Sequence, residues 1–252
     1  MNEPDGRHSD GKSSEGRYSD GRYSDGRYLE ANPGWHLEDA PWKAEQALAL
    51  LRTHGLQPRR IVEVGCGAGE VLRRVHAALG PGTEADGWEP SPQAAALAQS
   101  RAAPGLRFHA APLPPVPSGP PADLLLALDV AEHVEDCIGF LRSLRPHARH
   151  ALFHVPLDLS VQTVVRATPL QVARAQVGHL HFFTRETALA TLAHAGWQVQ
   201  AERYTAGSLD LPPRGWRGRV ARWPRRLAFA LSPHAAVRWL GGFSLLVLAQ
   251  PD

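Results

Sequence analysis

The sequence predicts an α/β chain built around a doubly wound, mostly parallel sheet. Short apolar runs alternate with helical stretches from Arg60 to Val155. Glycines recur at positions 65, 67 and 69 directly after the first run, and an acid, Glu89, closes the second run twenty residues after Gly69. Parallel neighbours need crossovers of this kind, and a sheet covered on both faces needs nearly uninterrupted apolar strands.

The elements follow in order. Ala44–His54 is a helix, with Ala44, Leu48 and Leu51 on one face and Gly55 as its stop. Arg60–Val64 reads as a buried strand, Glu70–Leu79 as a helix and Glu84–Trp88 as a second strand. Ser91 and Pro92 offer an N-cap and a proline at the first helical position, opening an Ala-rich helix to Gln99. Leu106–His109 is a short strand and the proline-rich stretch Pro112–Pro121 a loop. Asp123–Leu128 is a strongly apolar strand, Glu132–Leu144 a helix and His150–Val155 another strand. Thr184 starts and Gly196 ends a helix carrying Leu189 and Leu192; Gln198–Tyr204 and Phe243–Gln250 are the closing strands.

Composition bounds the rest. At 252 residues, 43% hydrophobic and 21% charged, the chain suits one generous domain with a buried core. Two cysteines cannot form a disulfide scaffold or a four-cysteine zinc site. Residues 1–27 hold most of a pentapeptide array (Gly6–Asp10, Gly11–Glu15, Gly16–Asp20, Gly21–Asp25, Gly26–Glu30), with no aliphatic residue before Leu29. Such a segment cannot recover the roughly 1–2 kcal/mol per residue that ordering a backbone costs, and it reads as a disordered tail. An interaction arm using its Arg and Tyr is the functional alternative. With no signal peptide and no apolar run of about 18 residues, a cytoplasmic location is expected for the folded part, residues 28–252.

The most informative stretch is Ile61-Val-Glu63-Val-Gly65-Cys66-Gly67-Ala-Gly69-Glu70. A strand entering a glycine turn and then a helix lets backbone N–H groups approach a ligand closely. A dinucleotide fingerprint would place glycine at position 70, which is Glu, and no Gly-Lys-Ser/Thr follows. A carboxylate there is poorly placed to receive a pyrophosphate, which disfavours a nicotinamide-dependent oxidoreductase. Glu89, with Pro90 after it, can accept both hydroxyls of a ribose.

The glycine turn and the following acid resemble those of class I S-adenosylmethionine (SAM) methyltransferases. Asp123-Leu-Leu-Leu-Ala-Leu-Asp-Val-Ala-Glu-His-Val134 resembles their fourth strand and the helix after it. Gly178-His-Leu-His-Phe-Phe-Thr-Arg-Glu-Thr-Ala-Leu189, with Ala195-Gly-Trp197, is similar to a late unit of the ubiquinone-biosynthesis-type subgroup. The resemblance implies a Rossmann-like sheet with an antiparallel last strand, and SAM as cofactor. It places Glu63 near the methionine amino group, and Gly65, Cys66, Gly67 and Gly69 under the cofactor. Glu89 and Pro90 fall at the ribose, and Asp129 near the reacting centre. The family's adenine-binding Asp is missing, so adenine falls to backbone groups near Ala110. Residues 28–58, with Trp35, His36, Trp42 and Lys43, resemble an amino-terminal cap.

Methyl transfer needs alignment and exclusion of water more than an attacking side chain. Positioning supplies about 7–11 kcal/mol, against roughly 10²–10⁴-fold from a general base. The expected acceptor is a hydroxyl of a small molecule, with a catalytically silent SAM-binding protein as the alternative. Asp129, His133 and His179 are the candidate catalytic groups, with His36 and His181 behind them; each histidine also suits packing or capping. Asp129, Glu132 and Asp136 have i, i+3, i+7 spacing, but they read as a solvated acidic helix start rather than a metal site. Cys66 and Cys137 read as packing residues.

Between the last two strands, residues 207–242 form a basic helical insertion. From Leu211 to Gly242 it carries seven arginines (Arg214, Arg217, Arg219, Arg222, Arg225, Arg226, Arg238), interleaved aromatics and no acid. An ordinary helical flap, a lid over the acceptor and a contact with an anionic membrane through 211–242 all fit this composition. No nucleic-acid partner is expected, since no recognised module accompanies the patch.

Overall fold

The computed structural model describes residues 37–212 and 215–252, without the side chains of 215–219 and 221. The pentapeptide tail, the cap up to residue 36 with Trp35 and His36, and the side chains of Arg214, Arg217 and Arg219 lie outside the described residues.

Seven strands form one sheet: β1 (Arg60–Val64), β2 (Glu84–Trp88), β3 (Leu106–His109), β4 (Ala122–Leu128), β5 (Ala148–Leu157), β6 (Trp197–Thr205) and β7 (Phe243–Pro251). Their order is β3-β2-β1-β4-β5-β7-β6. The first five run parallel, and β7 lies antiparallel between β5 and β6. The helices are α1 (Ala40–Thr53), α2 (Glu70–Leu79), α3 (Pro92–Gln99), α4 (Cys137–Ser143), α5 (Val161–Arg166), α6 (Thr168–Val172), α7 (Arg185–His194), α8 (Gly207–Asp210), α9 (Gly215–Leu231) and α10 (Pro233–Leu240). This is the predicted mostly parallel, Rossmann-like sheet with its antiparallel last strand.

Two apolar layers flank the sheet. On one side Ala47, Leu51, Leu72 and Val75 of α1 and α2 cover Ile61, Leu124 and Leu126. On the other, Leu141, Leu192 and Val237 from α4, α7 and α10 cover Leu125, Phe153 and Val247. Leu124 and Leu126 face one layer and Leu125 the other, as the two-residue period of a strand requires. Trp197 anchors the second layer: it is 1% exposed, its Nε1 donates to the Leu141 carbonyl at 2.9 Å, and its ring meets Phe153 edge-on at 4.9 Å.

Local chemistry sets the helix starts. The Thr184 hydroxyl accepts from the Thr187 N–H while Thr187 reaches back to the Thr184 N–H, a reciprocal cap for α7. The predicted helix Glu132–Leu144 is corrected. Ala131–His133 is a single 3₁₀ turn, Val134 is extended, and α4 starts only at Cys137, capped by Asp136. The Glu132 carbonyl accepts from the N–H groups of Leu180 (2.7 Å) and His181 (3.1 Å), so it does not support an α-helical turn.

Candidate active site

The sheet order reverses between β1 and β4, where crossovers leave to opposite faces and a crevice opens at the carboxyl ends of the strands. The cleft there has a volume of about 710 Å³, toward the upper end of the roughly 300–1,000 Å³ of small-molecule sites.

Its floor is the glycine turn. Gly65 and Gly67 both have left-handed backbone (φ 65° and 52°), but for different reasons. A Cβ at Gly65 would strike Val130 at 2.7 Å, whereas one at Gly67 would meet no atom of the described residues within 4 Å. Gly67 therefore keeps open the space above the turn. Gly69 does not line the cleft; its missing Cβ admits the Phe108 ring, which it would meet at 2.7 Å. Cys66 lines the cleft, and burial pushes its thiol far up, leaving it protonated rather than nucleophilic.

Two buried acids flank this turn. Glu63 is 3% exposed, lines the cleft, and its Oε2 has no hydrogen-bond partner among the described residues. Burial pushes its carboxyl up to about 8, against the pull of Lys43 and with Glu89 adding to the rise. Glu89 is also buried; Oε2 accepts from the Gly67 N–H at 2.9 Å and Oε1 from the Ser91 N–H at 2.8 Å. Burial raises its carboxyl in spite of those two bonds. Each oxygen keeps a lone pair for a further donor. Pro90 completes this side of the cleft. Ala110 is exposed and is not among the residues that line the cleft. Glu70 does line it, tied to Arg73 at 2.7 Å and Arg74 at 2.7 Å, and its carboxyl falls to about 2 mainly through Arg73.

Opposite stands Asp129, at the end of β4, with φ 57°. A non-glycine residue held there stores backbone strain. Its carboxylate binds Lys43 Nζ of α1 at 2.6 Å and His154 Nδ1 of β5 at 2.6 Å. Burial opposes its ionisation, but His154 and Lys43 outweigh that and hold the carboxyl well below its usual range. His154 Nε2 meets the Thr205 hydroxyl at 2.8 Å, extending the chain of contacts into β6.

Beyond Asp129 the wall is Glu132, His133 and His179. The two rings stand edge-to-face at 4.9 Å. His133 Nδ1 lies 3.2 Å from the Gly178 carbonyl, and His179 Nδ1 lies 2.7 Å from Asp158 Oδ2. Glu132 is wholly buried, and neither carboxylate oxygen has a hydrogen-bond partner among the described residues. Burial, then Asp129, pushes its carboxyl well above the usual carboxylate range. Among the described residues, Glu132, His133 and His179 bring ligand atoms within 4.8 Å of one another, close enough to share a cation. The sequence-spaced set Asp129, Glu132 and Asp136 is not assembled, because Asp136 turns away to accept from the Gly139 N–H at 2.8 Å. His181 also leaves the site: its Nε2 meets the Val134 carbonyl at 2.8 Å.

Glu132, read from the sequence as part of a solvated helix start, and His154, not singled out there, both line the cleft, and Asp158 enters only as the partner of His179. A histidine inside the apolar run of β5 was the one local signal for His154.

Residues 36–202 match the sequence family described as a methyltransferase domain. The chain belongs to that family. The match is to a methyltransferase domain and does not assign a subgroup. No curated protein matches the sequence. Among solved structures, magnesium protoporphyrin IX methyltransferase (ChlM) from Synechocystis PCC 6803 with bound SAH superposes with a TM-score of 0.55 at 16% identity, over 84% of this chain and 83% of its own. The plantazolicin methyltransferase BpumL in complex with SAH gives 0.60 at 14%, over 92% and 93%. A putative methyltransferase in complex with the Haloferax volcanii Trm112 activator gives 0.60 at 16%, over 95% and 100%. These likenesses describe the fold. As a member of this family the chain is a SAM-dependent methyltransferase, and the cleft suits such a cofactor: an open glycine turn, an orphaned buried carboxylate oxygen on Glu63, and a second buried acid on Glu89.

The raised Glu63 carboxyl has a measurable consequence. A ligand ammonium beside it favours ionisation, so binding S-adenosylhomocysteine at about pH 7 is expected to release about one proton, falling to none well above the folded-state value. Calorimetry in buffers of different ionisation heat measures this, and Glu63→Gln should abolish the release. The same group makes the ligand-free protein less stable as pH climbs from 4.5 to about 8, since over that window the folded state holds a proton that the unfolded chain has lost.

Proposed function

We propose that this methyltransferase moves the methyl group of SAM to a hydroxyl oxygen of a small-molecule acceptor. The observation that carries the reading is the pairing of an acid-flanked glycine turn with a histidine wall across one cleft. Glu63 receives the ammonium group; Gly65, Cys66 and Gly67 run beneath the cofactor; Glu89 and Pro90 take the ribose. Asp129, His133 and His179 face the acceptor.

SAM supplies an electrophilic methyl on a positively charged sulfur. The acceptor oxygen forms the new bond to carbon, the carbon–sulfur bond breaks, and sulfur keeps the electron pair. The protein's tasks are alignment and removal of the acceptor proton. His179 suits the second: with Nδ1 donating to Asp158, Nε2 is left to accept a proton. His133, fixed by the Gly178 carbonyl, orients the acceptor beside it. Asp129 is held ionised by two cationic or hydrogen-bonding partners and serves as a positioning residue.

The test is labelled-methyl transfer across an acceptor panel, with calorimetry against S-adenosylhomocysteine as control. His179→Ala is expected to lower kcat about 100-fold while cofactor-product affinity stays as in the parent. Equal turnover in the variant would remove the base role, and transfer exclusively to nitrogen or carbon acceptors would remove the hydroxyl.

A further inference from the structure

Along α9 the described arginines, Arg222, Arg225 and Arg226, lie on a different face from the exposed apolar side chains. Arg222 and Arg226 donate to the Leu209 carbonyl, and Arg225 to the carbonyls of Leu240 and Gly241. Phe229 stacks on Phe243 at 5.0 Å, so the inner face of α9 is clamped to the fold. The outer face carries Val220, Trp223, Leu227 and Leu231, exposed by 67%, 75%, 63% and 78%. Their spacing of three, four and four residues puts them on one stripe of the helix. Trp239 of α10 is 62% exposed as well.

We propose that this outer face of α9 docks on a bilayer containing anionic lipids. A row of large apolar side chains facing water is costly on a free surface and favourable at the boundary between headgroups and acyl chains, where Trp also settles. Charge selects the occupant. From Leu211 to Pro251 the chain has seven arginines and no acid, so the segment attracts an anionic surface and repels a second copy of itself. Arg222, Arg225 and Arg226, turned to backbone carbonyls on the inner face, supply field, and the stripe supplies insertion.

The segment that carries the docked face joins the fold at the cleft. Leu211, Pro212 and Gly242, which flank α9 and α10 in sequence, all line its wall. Building on the proposed methyl transfer, the acceptor would then be a bilayer-resident amphiphile bearing the hydroxyl; docking itself does not depend on that chemistry.

Sedimentation of the full chain with phosphatidylcholine vesicles, with and without roughly a quarter phosphatidylglycerol, tests the docking. Pelleting is expected with the anionic vesicles, weakening with salt. The double variant Trp223→Glu/Leu227→Glu should bind at least about tenfold more weakly, with unchanged affinity for S-adenosylhomocysteine showing that fold and cleft are intact. Three results would overturn the proposal: no pelleting of the parent at low salt, equal pelleting of the double variant, or light scattering that shows a dimer which the double variant converts to a monomer. If docking holds but vesicle-borne acceptors are never methylated, the membrane surface stands and the acceptor assignment fails.

Discussion

Gly67→Val is expected to weaken S-adenosylhomocysteine binding by about three orders of magnitude or more, equivalent to some 4 kcal/mol. The new Cβ would meet no atom of the described residues, so the side chain would occupy the open space above the turn that the proposed cofactor path crosses. A positive φ at a β-branched residue adds strain of about 1–3 kcal/mol. That leaves the fold standing and the cleft filled. Calorimetry paired with a thermal melt separates the two effects: a cooperative melt with no binding is the expected outcome. Binding within tenfold of the parent would show that the ligand does not cross Gly67.

Trp197→Ala is the largest expected stability effect, about 3–5 kcal/mol. The indole is almost wholly enclosed, packs on Phe153 and donates to the Leu141 carbonyl, which its loss leaves without that donor. Denaturant unfolding measures the loss. Because the residue sits in the layer under α4 and α7, away from the cleft lining, cofactor affinity in the folded fraction should be unchanged. A loss under 1 kcal/mol would mean that the layer repacks around the gap.

The contrast between these sites shows what local sequence can reveal. β1, α2, β2, α3 and β3 lie where apolar period, glycine and proline punctuation put them, because each is fixed by interactions within a few residues. The glycine turn was legible for the same reason, and Glu63 through the family resemblance. On the opposite wall Asp129, His133 and His179 were legible as candidates, but their partners were not. Asp129 gains its partners from Lys43 and His154, and His179 gains its own from Asp158, through contacts that only the closed sheet creates. Glu132 was misplaced by a helix that never forms there, since its carbonyl is taken by the chain at Leu180 and His181. Ala110 was placed by family likeness alone, and it is exposed beyond β3.

The position of β7 bears on how the molecule is made. β5 and β6 do not pair with each other; β7 alone joins them, through ladders on both of its edges. During synthesis both strands emerge before their shared partner, so each presents unpaired N–H and C=O groups until residues 243–251 arrive. Such open borders invite pairing with other nascent chains. A ribosome stalled near Gly242 would therefore hold a half-zipped sheet with two sticky margins. Insertion of that one segment seals both at once.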